Sequence, residues 1–148
     1  MTFVDLPAFK PFVLFSVLLV FKMFFVGVIT ANRRRLSKVV ANPEDVGVNP
    51  GSHAEAQEAP ETLRAKRAHQ NDLENVPGFL MLALIFTLMG GSATGGWAYF
   101  GTYFAARTLH SFFYLNQLQP WRTIAFGLGQ LTLLGVAVQL LMRAFGHS

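Results

Sequence analysis

Four apolar blocks divide the chain, separated by three polar interruptions. Phe9–Ala31 holds only two charges, Lys10 and Lys22, and Val76–Met89 holds none. Trp97–Leu115 contains Arg107 and His110, while Thr123–Met142 is uncharged with Gln130 and Gln139 inside it. A helix needs roughly 20 residues to cross hydrocarbon, so the first and fourth blocks suffice directly. The third suffices if its polar residues face protein. The second suffices only when its helix extends back through Leu63–Asn75, which is polar but helix-favourable. The pattern predicts an all-α, integral membrane four-helix bundle forming one domain over residues 1–148, with helices near 8–36, 61–90, 95–115 and 120–145. Four closed helices satisfy every backbone group in lipid. Pro43, Gly47, Pro50, Gly51 and Pro60 mark residues 39–60 as a loop.

Composition agrees with that pattern. Charged residues make up 14% of the 148 positions and hydrophobic residues 52%, whereas a soluble domain carries about a quarter charged. With no cysteine, disulfides, thiolate metal sites and cysteine nucleophiles are excluded. A net charge of +4 raises the question of nucleic acid, but seven of the 12 Lys and Arg fall between Arg33 and Arg67. The connection Gly90–Gly96 has none. That asymmetry is an orientation signal, which puts the first connection on the cytoplasmic side, not a nucleic-acid surface. Because Arg33-Arg34-Arg35 follows the first apolar run, that run reads as a retained helix of a multi-pass protein, not a cleaved signal.

The densest polar pattern is Leu63-Arg64-Ala65-Lys66-Arg67-Ala68-His69-Gln70-Asn71-Asp72-Leu73-Glu74-Asn75. At about 100° per residue, Arg64, Arg67, Asn71 and Glu74 share one stripe of a helix, and His69 and Asp72 share another. One reading is an interfacial helix with snorkelling charges and pairs such as Arg67–Glu74. The other is a site offering guanidinium, amide and carboxylate to a zwitterionic ligand. In the third block Arg107, His110 and Tyr114 recur at i, i+3 and i+7, and an Arg with a His inside an apolar segment favours function. His69 and His110 lack the spacing of a metal site, so no metal is expected.

Gln119-Pro120-Trp121-Arg122-Thr123 opens the fourth helix. Pro120 suits a first turn, and free N–H groups with the helix dipole at Arg122 and Thr123 are expected to favour an anion. Lys22, deep in the first span, requires a partner, with Asp72 and Glu74 the available carboxylates.

Beyond these patterns the sequence resembles the membrane-associated proteins in eicosanoid and glutathione metabolism, the MAPEG family, especially its glutathione transferase and prostaglandin E synthase branch. Ala41-Asn42-Pro43-Glu44-Asp45, Arg67-Ala68-His69-Gln70-Asn71-Asp72-Leu73-Glu74 and Arg107-Thr108-Leu109-His110 through Tyr114-Leu115 carry the resemblance over nearly the whole chain. It implies a homotrimer with glutathione sites between subunits near the cytoplasmic face of a bacterial inner membrane or endoplasmic reticulum. Arg67, Asn71, Glu74, His110, Tyr114 and Arg122 would bind glutathione, with Arg34 reaching in from the neighbour. Arg122 and Thr123 would be catalytic at the thiol, and Lys22, His69, Asp72 and Arg107 would form the supporting polar core.

Glutathione is then a cosubstrate, and its partner is a lipophilic molecule entering from the membrane lipid. Arginines bind carboxylates bidentately and Glu74 suits an ammonium. Thiolate is the nucleophile, so a guanidinium beside the sulfur favours the reactive form. The expected activity is transfer of glutathione to lipophilic electrophiles or reduction of hydroperoxides. The alternatives are isomerisation of a lipid endoperoxide and a non-catalytic lipid-binding scaffold. Three positions depart from the prostaglandin enzyme's pattern: Thr123 for a serine, Gln70 for an arginine and Phe126 for a tyrosine. The loop before Arg122 is also one residue shorter. These changes bear on the lipid substrate more than on glutathione.

Overall fold

Lys38 adopts a left-handed conformation, φ 59°, and there the first helix stops. In this computed structural model, which describes residues 2–146, four long helices follow one another. They are α1 (Phe9–Ser37), α2 (Pro60–Leu88), α3 (Ala93–Leu115) and α4 (Trp121–Phe145). Pro60 occupies the first turn of α2, with Glu61 beside it, where a missing N–H is harmless and a carboxylate meets the positive end of the dipole. The polar stretch Leu63–Asn75 and the apolar stretch after it are one continuous helix, with Pro77 inside it. Gly90, at φ 71°, supplies the backbone reversal after α2. Ser92 then caps α3 by accepting from the Gly95 N–H at 3.1 Å.

The 39–60 connection, read from sequence as an irregular loop, contains short regular pieces. β1 (Val39–Val40) pairs in parallel with β2 (His53–Ala54), and a 3-10 turn covers Pro43–Gly47 between them. His53 N donates to Lys38 O and Glu55 N to Val40 O, each at 3.0 Å. Val40 is buried beneath them. Two-residue strands are too short to leave a periodic signal.

Helix α1 packs on α2 and α3, and α4 packs on α3 and α2. Phe79, Phe86, Phe100 and Tyr103 form the centre of the core with Leu19 and Val136. Phe79 and Tyr103 stack with centroids 3.6 Å apart. Gly96 allows the close approach of α1 to α3, since a Cβ there would lie 2.8 Å from Pro11 Cγ. The outer surface is apolar: Phe21, Phe24 and Phe25 are 65%, 70% and 64% exposed. Faces this apolar would aggregate in water and are solvated by lipid. Helices α1 and α4 are long and apolar enough to cross a membrane, the two that the block pattern singled out.

Candidate functional site

A buried ionic layer joins three of the helices. Asp72 of α2 has no exposed surface. It pairs with Lys22 of α1 and, at 2.7 Å, with Arg107 Nη2 of α3. Ser111, one turn beyond Arg107, accepts from Lys22 Nζ at 2.6 Å and donates to Asp72 Oδ2 at 3.2 Å. Of the two carboxylates open to Lys22, Asp72 is the partner because it shares the inward stripe of α2. Glu74 is exposed and accepts from Gln70 Nε2 at 3.2 Å instead. No Arg67–Glu74 ion pair forms among the described residues. Ser111 was missed in the sequence, although its spacing from Arg107 puts both on one face.

The same layer reaches Asn71, whose Oδ1 and backbone carbonyl accept from Arg107 Nη2 at 2.6 and 3.1 Å. Two cations thus share one carboxylate, and Arg107 Nε and Nη1 remain buried without a partner. A desolvated excess of positive charge disfavours a further cation and favours an anion nearby. His69 packs beside α1, where a Cβ on Gly27 would sit 3.5 Å from its Cε1. Deeper along the helices, Gln130 of α4 donates to Asn75 Oδ1 at 2.6 Å, and Tyr103 donates to Asn75 O at 3.0 Å.

Beyond this layer, toward the ends of the helices that meet the 39–60 connection, a cleft of about 610 Å³ opens. Arg64 and Arg67 of α2, Tyr114 of α3, Arg122 of α4 and Gln119 just before it line the cleft, together with Glu55 and Glu58. The Arg122 guanidinium lies over the Tyr114 ring. His110 is buried behind Tyr114, its ring 5.7 Å from both Tyr114 and Phe126. Of the residues singled out by sequence, Arg64, Arg67, Tyr114 and Arg122 therefore share the cleft. Asn71, Glu74, His110 and Thr123 are not among the residues that line it.

One expectation is corrected. The N–H groups at the start of α4 are not free: Arg122 N donates to Leu118 O at 3.1 Å and Thr123 N to Pro120 O at 2.9 Å. The segment 118–120 folds back as an extra turn and supplies the acceptors itself. Positive character at this corner therefore comes from side chains. Gln119 organises them. With its amide oxygen facing the guanidinium, it accepts from Arg122 Nη2 at 2.6 Å and Nε at 3.1 Å, and its nitrogen donates to Thr123 Oγ1 at 3.1 Å. Sequence reading passed over Gln119, though positions i, i+3 and i+4 share a helical face.

Glu58 was also missed, and nothing in its alanine-rich surroundings marks it. It is buried, and it joins Arg34 of α1 at 2.6 Å and Lys66 of α2 at 3.0 Å. Within the single chain Arg34 is thus held at the rim of the same subunit's cleft. Burial pushes the Glu58 carboxyl upward, but the hydrogen bond from Lys66 and the charges of Arg34 and Lys66 outweigh it and hold the pKa below its ordinary value.

The MAPEG family model matches residues 12–142. Prostaglandin E synthase of Homo sapiens is 35% identical over 142 residues, spanning 95% of this chain and 93% of that protein. The Mus musculus prostaglandin E synthase is 36% identical over 143 residues, spanning 96% and 91%. Microsomal glutathione S-transferase 1 of Rattus norvegicus is 36% identical over 134 residues, spanning 88% and 86%. Similarity that runs almost end to end, through the helix carrying Arg67–Glu74 and the corner carrying Arg122, leads to one assignment: the chain belongs to the MAPEG family.

Proposed function

We propose that this protein is a glutathione-dependent membrane enzyme that activates the glutathione thiol for attack on lipophilic electrophiles or hydroperoxides. The observation that carries this reading is the convergence of Arg64, Arg67, Arg122 and Tyr114 on one cleft, above a layer with more buried cations than anions. Glutathione brings two carboxylates, an ammonium and a thiol. Guanidiniums bind the carboxylates through charge-assisted hydrogen bonds. Asn71 and Glu74 continue the Arg67 stripe one and two turns along α2, so an extended peptide following that stripe meets amide and carboxylate in turn. Glu74 is the counter-charge for the ammonium, and His110 supports Tyr114 from behind.

Function requires the thiolate, and a free thiol with a pKa of about 8.5 supplies little of it at neutral pH. Arg122 contributes a permanent positive charge and Thr123 a hydroxyl donor, which together lower the cost of ionisation. The thiol proton leaves to solvent. The sulfur then donates its electron pair to the electrophilic carbon, forming a C–S bond, while the displaced group departs with the bonding pair. An electrophile partitioned in the bilayer reaches this corner along the apolar faces of α1 and α4.

The proposed working unit is a homotrimer spanning the membrane, with its sites near the cytoplasmic face. A subunit boundary accounts for one feature of the single chain: Glu74 outside the cleft. In that assembly an Arg34 can serve a neighbouring site. The prostaglandin E synthase relatives, at about 35% identity, favour isomerisation of a lipid endoperoxide as a second reading with the same thiolate. A scaffold without chemistry has no use for three guanidiniums converging on one cleft.

Ultraviolet difference spectroscopy of the purified protein tests the reading. Added glutathione is expected to give thiolate absorbance at neutral pH that S-methylglutathione does not. No such band, with the protein folded and glutathione saturating, removes thiolate activation from the assignment.

A further inference from the structure

Gln119 sits one helical turn before the two residues proposed to activate the thiol, and its side chain touches both. The guanidinium presents only donors and the Thr123 hydroxyl can play either part, so the direction of each bond is set by chemistry. The Gln119 oxygen must face Arg122, and its NH2 then faces Thr123 Oγ1, giving the contacts at 2.6, 3.1 and 3.1 Å. The reverse amide orientation would set N–H against N–H.

Two consequences follow for the cleft. First, Gln119 accepts from Nε and Nη2 of Arg122, which fixes the plane of the guanidinium. Its other edge stays available, and its face rests on Tyr114. A planar fork held from one edge and one face can present Nη1 in only one direction. Second, because the amide donates to Thr123 Oγ1, that oxygen is used as an acceptor. The hydroxyl hydrogen is then free to be donated outward, which is what stabilisation of a thiolate requires. Left alone, a threonine in a helix can spend that hydrogen on a backbone carbonyl one turn back. Here Thr132 and Thr87 do so, donating to Leu128 O at 2.8 Å and Ala83 O at 2.9 Å. Thr123 instead contacts Gln119.

We propose that Gln119 is a positioning residue that couples Arg122 and Thr123 into one thiolate-stabilising unit, by holding the guanidinium in plane and directing the Thr123 hydroxyl hydrogen toward the sulfur. This rests on the glutathione reading above. Gln119 lines the cleft but acts on the sulfur only indirectly. Its effect passes through the other two side chains, so it governs the ionisation of bound thiol more than the affinity for glutathione.

The test is a pH titration of thiolate absorbance with glutathione bound, alongside glutathione affinity and kcat, for wild type, Gln119→Leu and Gln119→Glu. Gln119 is exposed, so leucine leaves no cavity, and thermal unfolding verifies that each variant is folded. Gln119→Leu is expected to raise the titration midpoint by about one pH unit, roughly a tenfold loss of thiolate at neutral pH. The dissociation constant for S-methylglutathione should stay within about twofold. Gln119→Glu keeps an acceptor for Arg122 but cannot donate to Thr123, so its midpoint should also rise. In a Thr123→Val background, Gln119→Leu should shift the midpoint by less than it does in wild type.

Wild type and Gln119→Leu titrating together overturn the proposal and leave the glutathione reading standing. So does a Gln119→Leu shift that is undiminished in Thr123→Val, because the effect would then bypass the hydroxyl. A wild type with no thiolate band overturns both.

Discussion

Arg122 lies across the face of Tyr114, its guanidinium carbon 4.6 Å from the ring centroid. The two come from different helices, and this contact closes α3 against α4 at the mouth of the cleft. A cation over an aromatic face is worth about 0.5–2 kcal/mol depending on desolvation. Tyr114→Phe keeps the face and loses the hydroxyl, whereas Tyr114→Leu loses both. If the stack orients Arg122, Tyr114→Leu should weaken glutathione binding several-fold more than Tyr114→Phe does, as read by isothermal titration. Equal losses would make the hydroxyl the functional part of Tyr114.

In the proposed mechanism, thiol activation divides between the Arg122 charge and the Thr123 hydroxyl. Charge-assisted hydrogen bonds are roughly twice as strong as neutral ones. Arg122→Leu should therefore raise the pH midpoint of turnover further than Thr123→Val does. The valine is nearly isosteric, so a loss there cannot be blamed on a cavity. A thiolate band abolished by Thr123→Val and kept in Arg122→Leu would reverse the ranking.

The Lys22–Asp72–Arg107 layer predicts an asymmetry in stability. Asp72→Asn strands two buried cations, and breaking a buried pair from one side costs about 3–5 kcal/mol. Lys22→Met removes one cation while Asp72 keeps Arg107 and Ser111, so its cost should be distinctly smaller. Thermal unfolding in one detergent checks the order. Lys22→Met that retains full stability but loses all turnover would move Lys22 from the framework to the chemistry.

Glu58 predicts how the 39–60 segment responds to acid. Its folded pKa lies below the ordinary 4.5, so the Arg34–Glu58–Lys66 contact contributes stability above the unfolded pKa. That contribution is lost as pH falls through the lower, folded value. Amide exchange at His53–Ala54, corrected for intrinsic rates, should accelerate as pH drops through that window. Glu58→Gln should already show fast exchange at neutral pH, with little further change in acid. An unchanged Glu58→Gln profile would show that the segment is held by β1 and β2 alone.

Glu74→Gln tests the proposed counter-charge for the ammonium. Removing a charge-assisted contact should weaken glutathione binding by about 1.5–3 kcal/mol, with the oligomer intact by size exclusion. Unchanged affinity in that intact oligomer would take Glu74 out of the site.

The sequence by itself determined the framework. Four apolar blocks set four helices, each of which closes its backbone hydrogen bonds on itself. The period put Arg67, Asn71 and Glu74 on one stripe of α2 and Asp72 on another. Lys22 announced a buried carboxylate, since a lysine at that depth cannot stand alone. What the pattern could not hold was anything decided between helices. Asp72, not Glu74, took Lys22 because only the packed bundle puts Asp72 at zero exposure. Ser111 joined a hydrogen bond that spans 39 positions of chain and Glu58 an ion pair that spans 24, distances at which no local period carries information. The start of α4 looked like an open anion site, and its N–H groups proved to be occupied by residues 118–120. That decision belongs to the path of the connecting turn. Helix periodicity is a local property written into every seven residues; the cleft exists only where α2, α3, α4 and the 55–60 segment meet, and their meeting is set by side-chain packing over the whole bundle.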